Sequence, residues 1–233
     1  VDFRSVIDQA AFLRDMPEDA RAALAGQATL HRYRNGEYVW RVGDRLDSLQ
    51  VVAEGLVQIG IMGTEGDEIV LHVEPCGGCL GEPSIYSPEG DRRTDGRAFG
   101  PTAIVEVPGE KVRAVLEASP EAMRVFVRRV SEIARAHARR IALNAFHDAR
   151  GRLAWLLLDL VESHGVPTER GRCIELPLSQ RMLAGLIGVR RESVNRLIAA
   201  WEREGALDFE GGTVTVLREK LLRLALGFEG GLS

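Results

Sequence analysis

The sequence predicts an α+β fold in three successive parts. An antiparallel β-roll of jelly-roll type occupies residues 1–108, a short and a long helix occupy 109–147, and a winged helix-turn-helix occupies 148–233. Three observations predict it. Between residues 30 and 108, short runs of alternating apolar residues recur between glycines, with the period of two that a half-buried strand requires. From Pro120 the apolar spacing lengthens to steps of three and four and continues without a break. Around Gly188 two amphipathic segments flank a single glycine, and the second carries arginines on its polar face.

The elements follow in order from local chemistry. "PEDARAALAGQ" is a short opening helix. The runs "EYVW", "LQVVAE", "LVQIGIM" and "EIVLHVE", punctuated by Gly36, Gly43, Gly55, Gly63 and Gly66, suit a small barrel or roll. "EKVRAVLEA" is a short helix, and Pro120 starts the long one, "PEAMRVFVRRVSEIARAHARRIALNAFHDA". Within it Met123, Phe126, Val130, Ile133 and His137 form a seam of coiled-coil spacing. Because the remaining faces are rich in arginine, a parallel twin helix is the expected cover, which predicts a homodimer. Packing against the chain's own roll is the competing reading. "RGRLAWLLLDLVESHG" opens the last part as an amphipathic helix closed by Gly165, "VPTERGRCIELPLS" is a connection, and "GFEGGLS" is a frayed tail.

Composition narrows the function classes. A hydrophobic content of 45% and a charged content of 27% belong to an ordinary globular protein. No run approaches the roughly 20 apolar residues of a membrane span. "VDFRSVIDQA" lacks the basic and apolar regions of a secretory signal, so a cytoplasmic protein without membrane contact is expected. The net charge of −4 argues against indiscriminate coating of nucleic acid. A local patch is another matter. Between Arg170 and Arg203 seven arginines (170, 172, 181, 190, 191, 196 and 203) stand against three glutamates (175, 192 and 202). No nucleophile–base pair, phosphate-binding loop or metal-ligand set stands at useful spacing, so no catalytic residue and no enzymatic activity are expected.

The segment "LSQRMLAGLIGVRRESVNRLIAAWEREGAL" is the most informative. Ser179 is placed to cap a helix carrying Met182, Leu183 and Leu186 on one face. Gly188 supplies a tight turn. The next helix turns Val194, Leu197, Ile198 and Trp201 inward and leaves Arg191, Glu192, Asn195 and Arg196 outward. That is helix-turn-helix geometry, with base-reading chemistry on the second helix: arginine donates twice to guanine, and glutamate accepts from cytosine. "ALDFEGGTVTVL" forms a hairpin around Glu210-Gly211-Gly212, a wing.

"LIGVRRESVNRLI" followed by a hairpin, behind a β-roll and a long helix, resembles the Crp/Fnr family of bacterial transcription regulators over almost the whole chain. "NAFHDARGRLAWLLL" resembles the hinge and first helix of that family's DNA-binding domain. The resemblance implies a cyclic-nucleotide-binding type of roll and a homodimer bound to a palindromic site in double-stranded DNA, with RNA polymerase as a further partner. It makes Arg191, Glu192 and Arg196 base readers, with Asn195 on the same face, and places Ser179, Gln180 and Arg190 near phosphates. The Arg-Glu-x-x-x-Arg set implies half-sites resembling TGTGA.

The resemblance also gives "CGGCLGE" (76–82) a context. In the family a Gly-Glu pair opens a cassette closed about ten residues later by an arginine and a small hydroxyl residue, which hold a cyclic phosphate. Gly81, Glu82 and Ser84, then Arg92 or Arg93 and Thr94 from "DRRTDGRA", fall on it, and His137 with Ala138 aligns with the pair on the long helix that meets a purine. Pro83, Ser84, Asp95 and His137 depart from the pattern. The departures count against cyclic AMP and leave open another cyclic nucleotide, a different small anion, or no effector. Cys76, Cys79 and His72 fall short of the four ligands that zinc or an iron–sulfur cluster takes, so no metal is expected. Inert turn residues, a thiol–disulfide switch and haem ligation are the competing readings of these thiols. Two alternatives stand beside the regulator: a family member controlled without an effector or by redox chemistry, and a cyclic-nucleotide-binding module that binds no DNA.

Overall fold

A computed structural model describes residues 2–45, 47–62, 68–87 and 91–227. Gly63, Gly66 and residues 228–233 of the expected tail lie outside them. The chain divides into two compact units, Val1–His137 and Ala138–Ser233.

In the first unit, helices α1 (Phe3–Gln9) and α2 (Glu18–Ala25) precede the strands. These are β1 (Thr29–Tyr33), β2 (Tyr38–Trp40), β3 (Ser48–Met62), β4 (Glu68–Pro75), β5 (Cys79–Leu80) and β6 (Asp95–Pro108). Helix α3 (Gly109–Ala118) follows, then α4 (Pro120–Phe146). The sheet is antiparallel in the order β1-β6-β3-β4, with β2 added on β6 and β5 on β3. The pleat sorts β3 and β6 into two faces. Leu49 and Val51 with Val105 and Val107 pack under the helices, in one cluster with Leu13, Leu24, Val112, Leu116 and Phe126. Val52 and Ile104 pack on the other face with Trp40, Val57 and Leu80. By the same alternation Gln50 and Glu106, paired in register, share that second face.

Phe126 overturns part of the expected seam. It is 4% exposed, and its ring meets Phe12 and Tyr86 edge to face at 6.2 and 6.0 Å. Met123 and Val130 pack against the same cluster. The apolar outer face of the sheet needs a cover, and the first turns of α4 supply part of it. Burying side chains of this size is worth about 1.5–3 kcal/mol each. The large hydrophobics left exposed on α4 are Val127, Ile141 and Phe146.

The second unit continues with α5 (Ala149–His164), β7 (Gly165–Thr168), β8 (Gly171–Ile174), α6 (Gln180–Ile187), α7 (Arg191–Glu204), β9 (Leu207–Glu210), β10 (Thr213–Val216) and α8 (Glu219–Leu224). The expected wing is β9–β10, turning on Gly211 and Gly212. The stretch expected as a connection is instead the hairpin β7–β8. Strand β8 pairs with β10, giving a four-stranded sheet β7-β8-β10-β9. Four-residue strands carry too little period to be read locally. Pairing across 40 residues, Ile174 with Val214, defines them.

Candidate functional site

The helix-turn-helix is built by caps and one left-handed residue. Ser179 Oγ accepts from the Met182 N–H at 3.0 Å and fixes the start of α6. Helix α6 then buries Met182, Leu183, Leu186 and Ile187. Gly188, at φ 66°, ends it by donating to the Ala184 and Gly185 carbonyls. Nothing crowds a Cβ there, so the backbone angle alone demands glycine. Helix α7 buries Val194, Ile198 and a fully enclosed Trp201.

The opposite face of α7 has the opposite character. Arg190, Arg191, Glu192, Asn195 and Arg196 are exposed. Among the described residues Arg190, Arg191, Glu192 and Arg196 make no side-chain hydrogen bond or ion pair. Three arginines elsewhere in this unit are answered by carboxylates. Arg150 binds Glu204 at 2.9 Å, Arg170 binds Asp208 at 2.6 Å, and Arg172 lies 3.8 Å from Glu219. The basic island read from the sequence is therefore narrower than its count: carboxylates beyond the island answer Arg170 and Arg172. Within the island the positive charge without a carboxylate partner stands at Arg181, Arg190, Arg191, Arg196 and Arg203, of which Arg203 Nε donates to the Ala199 carbonyl at 3.2 Å. Gln180 is half-buried, and its Nε2 donates to Asn195 Oδ1 at 3.5 Å.

The second candidate site lies in the first unit around Gly81. Its φ of 95° starts the Glu82–Ser84 turn, and a Cβ there would sit 2.4 Å from the Ser48 carbonyl oxygen. Glu82 is 3% exposed, and its Oε1 accepts from Arg129 Nε at 2.9 Å. Burial pushes its carboxyl pKa up, and Arg129 opposes the rise. Of the two arginines open in the sequence, Arg92 turns inward and Arg93 is exposed. The Arg92 guanidinium stacks on Trp40 at 4.2 Å, and its Nη2 lies against Gly81. Burial lowers its pKa to about 10, with Glu82 and Glu106 opposing. Its buried Nε and Nη2 have no hydrogen-bond partner, and neither do Trp40 Nε1, Ser48 Oγ and Gln50 Oε1. Of these, the Arg92 N–H groups and the indole N–H of Trp40, on which Arg92 stacks, are donors that suit an oxyanion, whereas Gln50 Oε1 is an acceptor.

The other candidates fall as follows. Ser84 is part of the turn that Gly81 opens, and Thr94 precedes β6, half-buried. Asp95 Oδ1 accepts from the Val42 N–H at 2.9 Å, so this carboxylate clamps a neighbouring loop. His137 is exposed, and α4 reaches Glu82 through Arg129, eight residues and about 12 Å of helix earlier. Cys79 is buried, and that burial holds its thiol well above its usual pKa, which disfavours the thiolate. Cys76 is exposed with Sγ on the Ala53 carbonyl, and His72 is engaged with Glu74. Among the described residues no three potential metal ligands gather.

Sequence reasoning missed two residues. Arg129 looked like one more solvated arginine of α4, and only folding brings it to Glu82. Arg140, near the other end of α4, donates to the Leu186 carbonyl at the end of α6. A cation on the last turn of a helix is favoured by its dipole. Neither contact has a local signal, since the partners are 47 and 46 residues apart.

Comparison with known proteins adds relatives to this geometry. Residues 30–119 match the cyclic nucleotide-binding domain, and residues 151–225 match the Crp-like helix-turn-helix domain. A CRP-like cAMP-activated global transcriptional regulator of Mycobacterium tuberculosis is 27% identical over 223 residues, covering 94% of this chain and 98% of that protein. Two solved structures share the fold. The c-di-GMP responsive global regulator CLP of Xanthomonas campestris superposes with a TM-score of 0.72 at 23% identity, over 86% of this chain and 99% of that one. FixK2 of Bradyrhizobium japonicum gives 0.76 at 17% identity, over 88% and 99%.

Proposed function

The chain belongs to the Crp/Fnr family of transcription regulators, and from that premise we propose that it binds a palindromic DNA site as a homodimer under control of a small anionic effector. The observation that carries the reading is the free charge on α7: Arg191, Glu192 and Arg196 are exposed and unpaired while Arg150, Arg170 and Arg172 are answered by carboxylates. Arg191 and Arg196 read guanines, and Glu192 accepts from a cytosine amino group. Ser179, Arg190 and Arg181 lie toward phosphates, which set register without reading sequence.

The second copy covers α4. Val127, Ala134, Ala138, Ile141 and Ala145 follow one another at coiled-coil spacing, and Val127 and Ile141 are 55% and 70% exposed. This stripe lies beside the expected seam and replaces its buried member, Phe126. Two copies related by a two-fold axis then present two α7 helices to successive major grooves about one helical turn apart.

The effector meets Arg92. A phosphate or comparable oxyanion satisfies its free N–H groups and the single indole N–H of Trp40. Glu82 and its partner Arg129 link this turn to α4, and Arg140 links α4 to the end of α6. An effector that favours one setting of α4 shifts the population competent for DNA. The cyclic nucleotides named for the Mycobacterium and Xanthomonas relatives are the first to test. RNA polymerase is the further partner proposed for the bound dimer.

The test is fluorescence anisotropy of the full chain on a palindromic duplex with TGTGA-like half-sites and on a shuffled duplex, at one stated salt concentration, with and without cyclic nucleotides. A specific site should bind at least about a thousandfold tighter than the shuffled one. Equal binding to both duplexes, or a monomer by sedimentation, refutes the reading.

A further inference from the structure

We infer that the effector carries a hydrogen-bond donor, a hydroxyl or amino group, beside its oxyanion, and that Gln50 selects for it. The inference rests on the proposal that Arg92 meets an anionic effector, and adds a second recognition element to the same interior. Register places Gln50 there. On β3 it pairs with Leu80 of β5 and Glu106 of β6, on the face that also carries Val52. Leu80 precedes Gly81, where a Cβ would stand 3.4 Å from Arg92 Nη2 and 2.4 Å from the Ser48 carbonyl oxygen. Glu106 lies near enough to Arg92 to oppose the fall in its pKa.

The chemistry of its partner orients the Gln50 amide. Gln50 is 1% exposed, and its Nε2 donates to Glu106 Oε2 at 2.8 Å. An ionised carboxylate only accepts, so the end of the amide that faces Glu106 must be Nε2, and the other end must be the oxygen. That oxygen, Oε1, is buried with no donor in reach among the described residues. Leaving a buried acceptor unmet costs its full desolvation, more than an ordinary hydrogen bond contributes. A fully ionised oxyanion does not answer it, because it too presents only acceptors. Arg92 and Trp40 hold unanswered donors in the same interior. One molecule that joins an acceptor group to a donor group satisfies both kinds. Glu82 already accepts from Arg129, whereas Gln50 Oε1 stands open. Ser48 Oγ, also buried and unpaired, can serve in either sense because its hydroxyl rotates. Glu106 is the positioning residue, since it holds the amide with its oxygen outward from the pair.

The experiment is calorimetric titration of the full chain. The probes are cyclic AMP, cyclic GMP and cyclic di-GMP, each beside analogues that lack one donor (a 2′-deoxyribose or a dimethylated base amine), with sulfate as an oxyanion that carries none. For a nucleotide whose binding is lost in Arg92→Met, removing one of its donors should weaken binding about five- to hundredfold. In Gln50→Leu the nucleotide and that analogue should bind within about twofold of each other, while sulfate behaves as it does with wild type. Glu106→Gln keeps the volume and lets either end of the Gln50 amide face it, so the donor preference should fall several-fold there too. That variant decides the matter if circular dichroism shows Gln50→Leu unfolded. A donor preference unchanged in the folded variants overturns the inference and assigns Oε1 to a bound water. Sulfate bound through Arg92 as tightly as any nucleotide overturns it as well. Both results leave the role of Arg92 standing. If no probe binds, or binding persists at full strength in Arg92→Met, the anion-binding proposal falls and the inference with it.

Discussion

Two unpaired arginine groups, one in each unit, look alike on paper and differ in energy. On α7, Arg191 and Arg196 stand in water with no partner. Their charge is solvated, so leaving them free costs nothing until DNA arrives. Arg92 stands inside the roll against Trp40 with two N–H groups unanswered. Lowering its pKa to about 10 corresponds to a cost on the order of 3 kcal/mol for keeping the charge there. An exposed free cation waits for a partner at no expense to the fold, whereas a buried one couples its partner to stability. Glu82 and Arg129 show the third case, a buried charge already answered.

The largest effect should come from unpairing that third case. Arg129→Ala leaves a carboxylate buried alone and should cost about 3–5 kcal/mol at neutral pH by urea unfolding. The pH dependence has a definite sign. The folded pKa of Glu82 is raised, so its contribution to stability is complete below the ordinary carboxylate value and is lost as pH rises through the folded value. Arg129→Ala should steepen that loss, and Glu82→Gln should abolish it. A loss under 1 kcal/mol for Arg129→Ala would show that the pair is solvated.

Next in size is the buried free cation. Arg92→Met should raise stability, by up to about 3 kcal/mol if the desolvation cost is fully relieved. In thermal unfolding, an effector at a hundred times its Kd should add about 2.7 kcal/mol to the wild type and nothing to the variant. An equal response in both would place the anion elsewhere.

The exposed pair gives the inverse signature. Arg191→Ala should lose about 1–3 kcal/mol of specific binding and relax one guanine, while Tm moves little. A large drop in Tm would mean that the side chain serves the fold. Smallest of all, Arg190→Ala should weaken binding to every sequence alike and lower the salt slope by about one. A change confined to one base would make it a reader.

The contrast also explains what was legible in the chain. The α7 face was readable because a period of 3.6 residues puts Val194, Ile198 and Trp201 on one side and Arg191 and Arg196 on the other within a single helix. The Gly81-Glu82 turn was readable in the same local way. The choice between Arg92 and Arg93 was not, since adjacent residues differ only in which enters the roll. Phe126 satisfied the coiled-coil spacing and the packing of the roll equally well, and Phe12 and Tyr86 claimed it.

What the amino-acid order determined alone was therefore short-range: the strand and helix periods, the cap at Ser179, the left-handed turn at Gly188 and the polarity of α7. What only the tertiary structure decided were the long-range partners: Arg129 for Glu82, Arg140 for the end of α6, β8 for the wing, and Asp208 and Glu219 for Arg170 and Arg172. The reason is physical. Backbone hydrogen bonds and side-chain periods act over a few residues and are written in order along the chain, whereas the fate of a charge depends on which distant group the closed fold brings within about 4 Å.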